Sequence, residues 1–249
     1  MTRTHHLAAV VLALLAILVP QRAAHARPLV KEQVLRAQGK GWTFTFRYPT
    51  LDQPGALMGV RGALADYNSQ SRAIAEKALA DFKRQMAELQ QDSAPPRGTT
   101  STVDATYTVC TNSDAGLVSV RWFAYRMFAG GAHPDPQIIT SNWPGGLPMW
   151  TIADLFTSPR DGLANLSREA LAALRAKPGL RDRMSFTGEG LEPKAENFEA
   201  FIIRKHGLQL FFQRGQVAAG AVGSMDVIVK WNALRAVLKP EVASLVKRL

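Results

Sequence analysis

Cysteine is nearly absent: of 249 residues only Cys110 carries a thiol, so the fold cannot rest on an internal disulfide and needs a buried apolar core. Histidine is scarce as well, with five in the chain. His5, His6 and His25 fall within the first 26 residues, and the remaining His133 and His206 stand in neither an H-x-x-E-H nor an H-x-H spacing. Borderline metals bind imidazole and thiolate best and usually need two or more such ligands, so no metal site and no cofactor is expected. There is no G-x-S-x-G elbow, since Gly223-Ser224-Met225 begins a strand pattern instead of following one. Phosphate-cradling G-x-x-x-x-G-K-[ST] and G-x-G-x-x-G loops are missing too. No uninterrupted apolar run reaches the roughly 20 residues a membrane-spanning helix requires.

What is present begins with an export pattern: Arg3, an apolar run from Leu7 to Val19, and the small-residue site Ala24-His25-Ala26. Residues 1–26 are therefore expected to be a cleaved signal peptide, leaving a periplasmic or secreted protein with no further membrane segment. No cysteine stands just after the cleavage point to take an acyl chain. Cleavage removes two arginines, Arg3 and Arg22, and no acid, so the formal charge falls from +10 to +8. The basic residues between Arg160 and Lys205 are interleaved with acids, which reads as a solvated surface and not as a nucleic-acid footprint.

About 220 residues remain, enough for one large domain or two small ones. Trp42 to Tyr48 alternates aromatic and polar residues, a strand with one buried face that Pro49 is expected to end. Ile74, Ala78, Phe82, Met86 and Leu89 share one face of a long helix stopped by Pro95-Pro96. Val103 to Val109 and Leu117 to Phe128 form a hairpin across a turn at Asn112 to Gly116, and Gln137 to Trp143 is a further strand. Thr151 caps a short helix through Phe156, and a longer helix covers Leu163 to Ala176. Asn197 to Arg204, Leu208 to Gln213 and Met225 to Trp231 are strands, while Asn232 to Leu238 and Glu241 to Leu249 are helical. Blocks in this order predict an α+β fold with mixed or antiparallel sheets packed against helices, in two closely associated subdomains: residues 27–126 and residues 127–249.

One constellation carries chemical interest. Phe128-Ala129-Gly130-Gly131-Ala132-His133-Pro134-Asp135 follows a strand directly; the two glycines allow a tight bend, and Pro134 restricts the residue before it, so His133 is held at a defined point. His133 can pin the turn by bonding a nearby carbonyl, or serve as a general base if Asp135 or Asp154 orients it. A cleft converging on His133 would favour a hydrolase, whereas a shallow patch rimmed by aromatics or arginine would favour binding. Glu189, Glu192, Glu196 and Glu199 are carboxylates available for glycoside chemistry but read as a charged loop flank.

The glycine-glycine-alanine-histidine-proline turn, together with Tyr125 to Phe128, Trp150-Thr151-Ile152-Ala153-Asp154-Leu155-Phe156, Leu210-Phe211-Phe212, Gln216 to Gly220 and Val227 to Leu234, resembles a family of bacterial extracytoplasmic domains. The family occurs in RsiV-type anti-sigma factors and, as a non-catalytic companion, in PdaC-type deacetylases; Trp42 to Phe128 is similar to the smaller domain that precedes it. Ala218-Ala219-Gly220-Ala221 departs from the family, which has proline and tyrosine there. The resemblance implies a non-enzymatic cell-envelope binding module whose partner is a cell-wall protein, such as lysozyme, or peptidoglycan. The binding surface expected is Gly130, Gly131, His133 and Asp135 with Arg214 and Gln216 of the loop running to Gly223. The contrary expectation is a hydrolase or deacetylase of wall glycans that uses His133 with Asp135 or Asp154.

Overall fold

The computed structural model describes residues 30–52, 63–92, 99–112, 116–145, 147–177 and 188–249; the expected signal peptide lies outside them. Two sheets organise the chain, one of five strands and one of three, and the fold is α+β.

The first sheet runs β1 (Val30–Gly39), β2 (Trp42–Leu51), β3 (Ser101–Asn112), β4 (Leu117–Met127) and β5 (Asp135–Pro144), in that spatial order. All neighbours are antiparallel except β2 and β3, which pair in parallel from Trp42↔Ser101 to Phe46↔Ala105. A parallel pair needs a long crossover, and the helix α1 (Ala63–Asp92) supplies it. β5 pairs with β4 from Arg126↔Asp135 to Leu117↔Pro144, so the first sheet continues through residues that the sequence pattern groups with the second unit.

Period-two alternation puts Phe44, Phe46, Val103, Ala105, Val120, Trp122, Ala124 and Trp143 on the face that α1 covers with Tyr67, Ala75, Phe82 and Met86. Leu89, expected on that face, is 43% exposed. β1 has no counterpart in the sequence reading. It is a charged edge strand, with Lys31, Glu32 and Arg36 exposed, and such residues discourage further strand pairing while hiding the alternation that announces a strand. Nor does Pro49 end β2. It lies beyond the β2–β3 ladder, and the end of the strand is instead held by α1: Ser71 Oγ donates to Pro49 O at 2.7 Å, and the Asn68 carboxamide takes both the N–H and the C=O of Leu51, at 2.8 and 3.0 Å.

The second sheet, β6 (Phe201–Arg204), β7 (Gly207–Phe212) and β8 (Met225–Lys230), is antiparallel throughout. Its inner face packs on α2 (Pro159–Arg175), α3 (Trp231–Leu234) and α4 (Pro240–Lys247), giving a core that includes Leu166, Leu174, Ile203, Leu210, Phe212, Val229 and Val242. Two expected elements are shorter here. Residues Ala195–Phe198 form a 3-10 turn, so the strand starts at Phe201, and α3 stops at Leu234, after which Leu238 bridges to Phe156.

The outer edge of β6 would present unpaired backbone groups, and side chains of the first sheet satisfy them. Phe201 N donates to Thr140 Oγ1 at 2.9 Å, Asn142 Nδ2 donates to Phe201 O at 2.7 Å, Ile203 N donates to Asn142 Oδ1 at 3.0 Å, and Thr111 Oγ1 donates to Ile203 O at 2.7 Å. In return, the carboxamide of Gln213, just after β7, takes Ile138 N and O on the free edge of β5, at 3.0 and 2.7 Å. Hydrogen-bonded side chains in a buried seam are costly to disrupt, so these contacts fix how the two sheets meet.

Candidate functional site

The turn after β4 has the geometry its glycines require. Gly131 N donates to Phe128 O at 2.9 Å, closing a four-residue turn, and Gly130 sits at φ 84°, a conformation that side chains disfavour. A Cβ on Gly131 would lie 3.0 Å from Phe128 O. Ser101 Oγ accepts from Ala129 N at 2.9 Å and anchors the turn to β3.

This turn delivers His133, exposed, to a residue 81 positions away: Arg214 Nη1 lies 2.9 Å from His133 Nδ1. A guanidinium has only donors, so Nδ1 accepts in this contact; the same Nδ1 also lies 3.3 Å from Pro134 O, a carbonyl that only accepts, so the two contacts compete for that nitrogen. Arg214 Nε also donates to Gly220 O at 2.7 Å, which ties the ends of its own loop together. Gly215 and Gly223, at φ 80° and 84°, let that loop turn sharply.

The other residues singled out by sequence do different work. Gln216 ties the loop to its neighbours: its Oε1 accepts from Gln213 N at 2.9 Å, and its Nε2 donates to Asn197 O at 2.8 Å and to Gly190 O at 3.3 Å. Asp135 pairs with Arg126, whose Nη2 meets Asp135 Oδ2 and whose Nε donates to Asp135 O at 3.2 Å; the same guanidinium lies 5.9 Å over the Phe128 ring. Asp154 closes a capping box at the turn Ile152–Leu155: its Oδ2 accepts from Thr151 N at 2.8 Å and Thr151 Oγ1 at 2.7 Å. The Thr151 hydroxyl bond is the main reason that carboxyl is held below its ordinary range. Thus His133 and Arg214 come together, whereas Asp135 and Asp154 are committed elsewhere.

A cleft of about 400 Å³ opens where α1 diverges from the β4–β5 side of the sheet. Its helical wall is Ile74, Lys77, Ala78, Asp81 and Gln85, residues spaced so that they share one side of α1. Across it stand Arg126, Gln137, Ile139 and Thr140, with Glu199 and Gln213 closing the far side and Phe82 below. His133 does not line it. Asp81 is held by Lys77 Nζ at 2.6 Å and Arg84 Nη2 at 2.9 Å, and the Lys77 hydrogen bond keeps its carboxyl low. The spacing of Lys77, Asp81 and Gln85 on one side of the helix was visible in the sequence, but only the divergence of α1 from the sheet makes it a cleft wall.

Residues 153–232 match the model of a family described as Protein of unknown function (DUF3298). Over 175 residues, 70% of the chain, the sequence is 26% identical to Peptidoglycan-N-acetylmuramic acid deacetylase PdaC of Bacillus subtilis (strain 168). The chain spans 36% of that protein's length. Among solved structures, a member of the DUF3298 family from Bacteroides fragilis NCTC 9343 superposes with a TM-score of 0.54 at 15% identity, covering 88% of this chain and 98% of that one. A DUF3298 family protein from Pseudomonas aeruginosa PAO1 aligns with a TM-score of 0.49 at 20% identity, over 86% and 94% of the two chains. The Bacteroides structure shows that the fold is shared. Among the described residues no helix is long and apolar enough to cross a membrane.

Proposed function

We propose that this chain, which carries a DUF3298 domain in residues 153–232, is a non-enzymatic binding module of the cell envelope, exported by its N-terminal signal. Its partner is peptidoglycan or a lysozyme-like wall protein, and its surface is the corner where the Gly130–Gly131 turn meets the loop from Arg214 to Gly223. The observation that carries this reading is the exposed His133–Arg214 pair at 2.9 Å, which joins two loops into one polar, arginine-bearing patch. Arginine in such a patch offers several fixed donors to a polar partner.

The hydrolase alternative requires a carboxylate on His133 and a cleft around it. Asp135 is on Arg126, Asp154 is on Thr151, and the cleft is lined by other residues, so the binding reading has the better support. The B. subtilis relative is named for a peptidoglycan substrate, which makes wall glycan the first bait to try.

The test is retention of the purified protein on insoluble peptidoglycan and, separately, on immobilised lysozyme at low and moderate salt, with Arg214→Ala and His133→Ala beside it. Salt-resistant retention by one bait, weakened in both variants, is expected. Retention that vanishes at moderate salt, as unspecific charge attraction does, would sink the proposal.

A further inference from the structure

The cleft between α1 and β5 holds an unpaired group. Gln85 lines the cleft, and its Oε1 is buried with no hydrogen-bond partner among the described residues. A carbonyl oxygen left unpaired in that position is a standing cost, one that a ligand presenting an amide N–H removes. The terminal carboxamide torsion is soft, so a small rotation turns the group toward the cleft. An amide ligand suits either orientation of a Gln side chain, because it offers both an N–H and a C=O.

The remaining lining narrows the ligand further. Ile74, Ala78 and Phe82 of α1 and Ile139 across from them give the cleft an apolar lining. Around the mouth, Lys77, Arg84 and Arg126 are balanced by Asp81 and Glu199, so the rim presents hydrogen-bonding groups of both signs and selects for neither a strong anion nor a cation. Lys77 and Arg84 are both tied to Asp81, and Arg126 is tied to Asp135, which leaves their positive charge partly neutralised. A volume of about 400 Å³ lies at the small end of ligand sites.

We infer that this cleft binds the acetamido group of an N-acetylated sugar, with the methyl on Ile74, Ala78 and Phe82, the amide on Gln85, and the ring hydroxyls at the rim. The inference rests on the envelope-binding reading and adds to it a second contact, separate from the His133–Arg214 corner, and a ligand chemistry. Acetamido sugars occur in plain N-acetylglucosamine polymers and in the muramic-acid-containing strands of peptidoglycan. The same contact serves both.

Calorimetric titration of the purified protein with N-acetylglucosamine oligomers, with the same oligomers de-N-acetylated, and with a muramic-acid-containing disaccharide tests it. Acetylated oligomers should bind at least tenfold more tightly than their deacetylated counterparts. Gln85→Leu should lower that affinity at least tenfold while the melting temperature stays level or rises, because an unpaired polar group has gone. Ala78→Leu, which fills the apolar side of the cleft, should block binding. A disaccharide that binds better than the plain oligomers places the natural source in peptidoglycan; equal binding places recognition in the acetamido group alone, and both support the inference. Equal affinity for acetylated and deacetylated oligomers, no binding of any of the three, or full affinity in Gln85→Leu would overturn it. Should the protein still be retained on intact wall material in those cases, the envelope-binding proposal stands without this site.

Discussion

Replacing Asn142 with alanine tests whether side chains hold the two sheets together. Asn142 is 1% exposed and makes three hydrogen bonds: it accepts from Ser119 Oγ at 2.7 Å and Ile203 N at 3.0 Å, and donates to Phe201 O at 2.7 Å. Removing it deletes three bonds of about 1 kcal/mol each and leaves an N–H and a C=O of β6 buried without partners, so a loss of about 4 kcal/mol is expected. That is a large part of the roughly 5–15 kcal/mol available to a domain. In urea, with a slope of about 3 kcal/mol/M, the midpoint should fall by roughly 1.3 M. Tryptophan fluorescence is a suitable probe, since Trp122 and Trp143 are buried in the first sheet. Asn142→Asp sharpens the test. The ionised carboxylate cannot donate to Phe201 O, whereas the protonated acid can, so burial raises its folded pKa above the unfolded value of about 3.9. Stability of that variant should therefore be highest below the unfolded pKa and decline as pH rises toward the folded one. A midpoint shift under about 0.3 M for Asn142→Ala, corresponding to under about 1 kcal/mol, would refute the view that this residue closes the β6 edge.

Other perturbations follow from the same geometry. A Cβ on Gly190 would lie 1.9 Å from Gln216 O, a backbone atom, so Gly190→Ala should cost roughly 2 kcal/mol and lower Tm by roughly 4–8 °C, while also displacing the Arg214 loop. Asp154→Asn keeps an acceptor for Thr151 but removes the carboxylate charge that strengthens those bonds, and should cost about 1 kcal/mol at neutral pH by thermal melting. Because the folded pKa of Asp154 is lowered, that contribution is present above the unfolded value and is lost as pH falls through the folded one, so wild type and variant should converge in acid.

Sequence pattern located what depends on near neighbours. The aromatic alternation of Trp42 to Tyr48 marked β2 because its inward side chains meet α1, and the strand patterns on either side marked the antiparallel β3–β4 pairing, while most of the turn expected between them lies outside the described residues. The edge strand β1 escaped notice because exposure of its charged residues removes the alternation, and the parallel β2–β3 pairing escaped because a crossover helix leaves no local trace. At the candidate site the sequence singled out both His133 and Arg214, yet their contact spans 81 residues and appears only once the sheets are docked. Gln216 was expected on the binding surface; its carboxamide is instead taken up by the backbone of Gln213, Asn197 and Gly190. Asn68, Asn142 and Gln213 each substitute for a missing strand neighbour, a role that no composition or spacing rule assigns to a carboxamide.

On the proposed reading the protein holds wall material without altering it. Incubating the purified protein with intact peptidoglycan and measuring, in one experiment, the bound fraction, the acetate released and the new reducing ends tests that claim directly. Salt-resistant binding is expected, with neither product above the level of a no-protein control. Acetate or reducing ends that accumulate with time and disappear in His133→Ala would contradict it and return the hydrolase reading to first place.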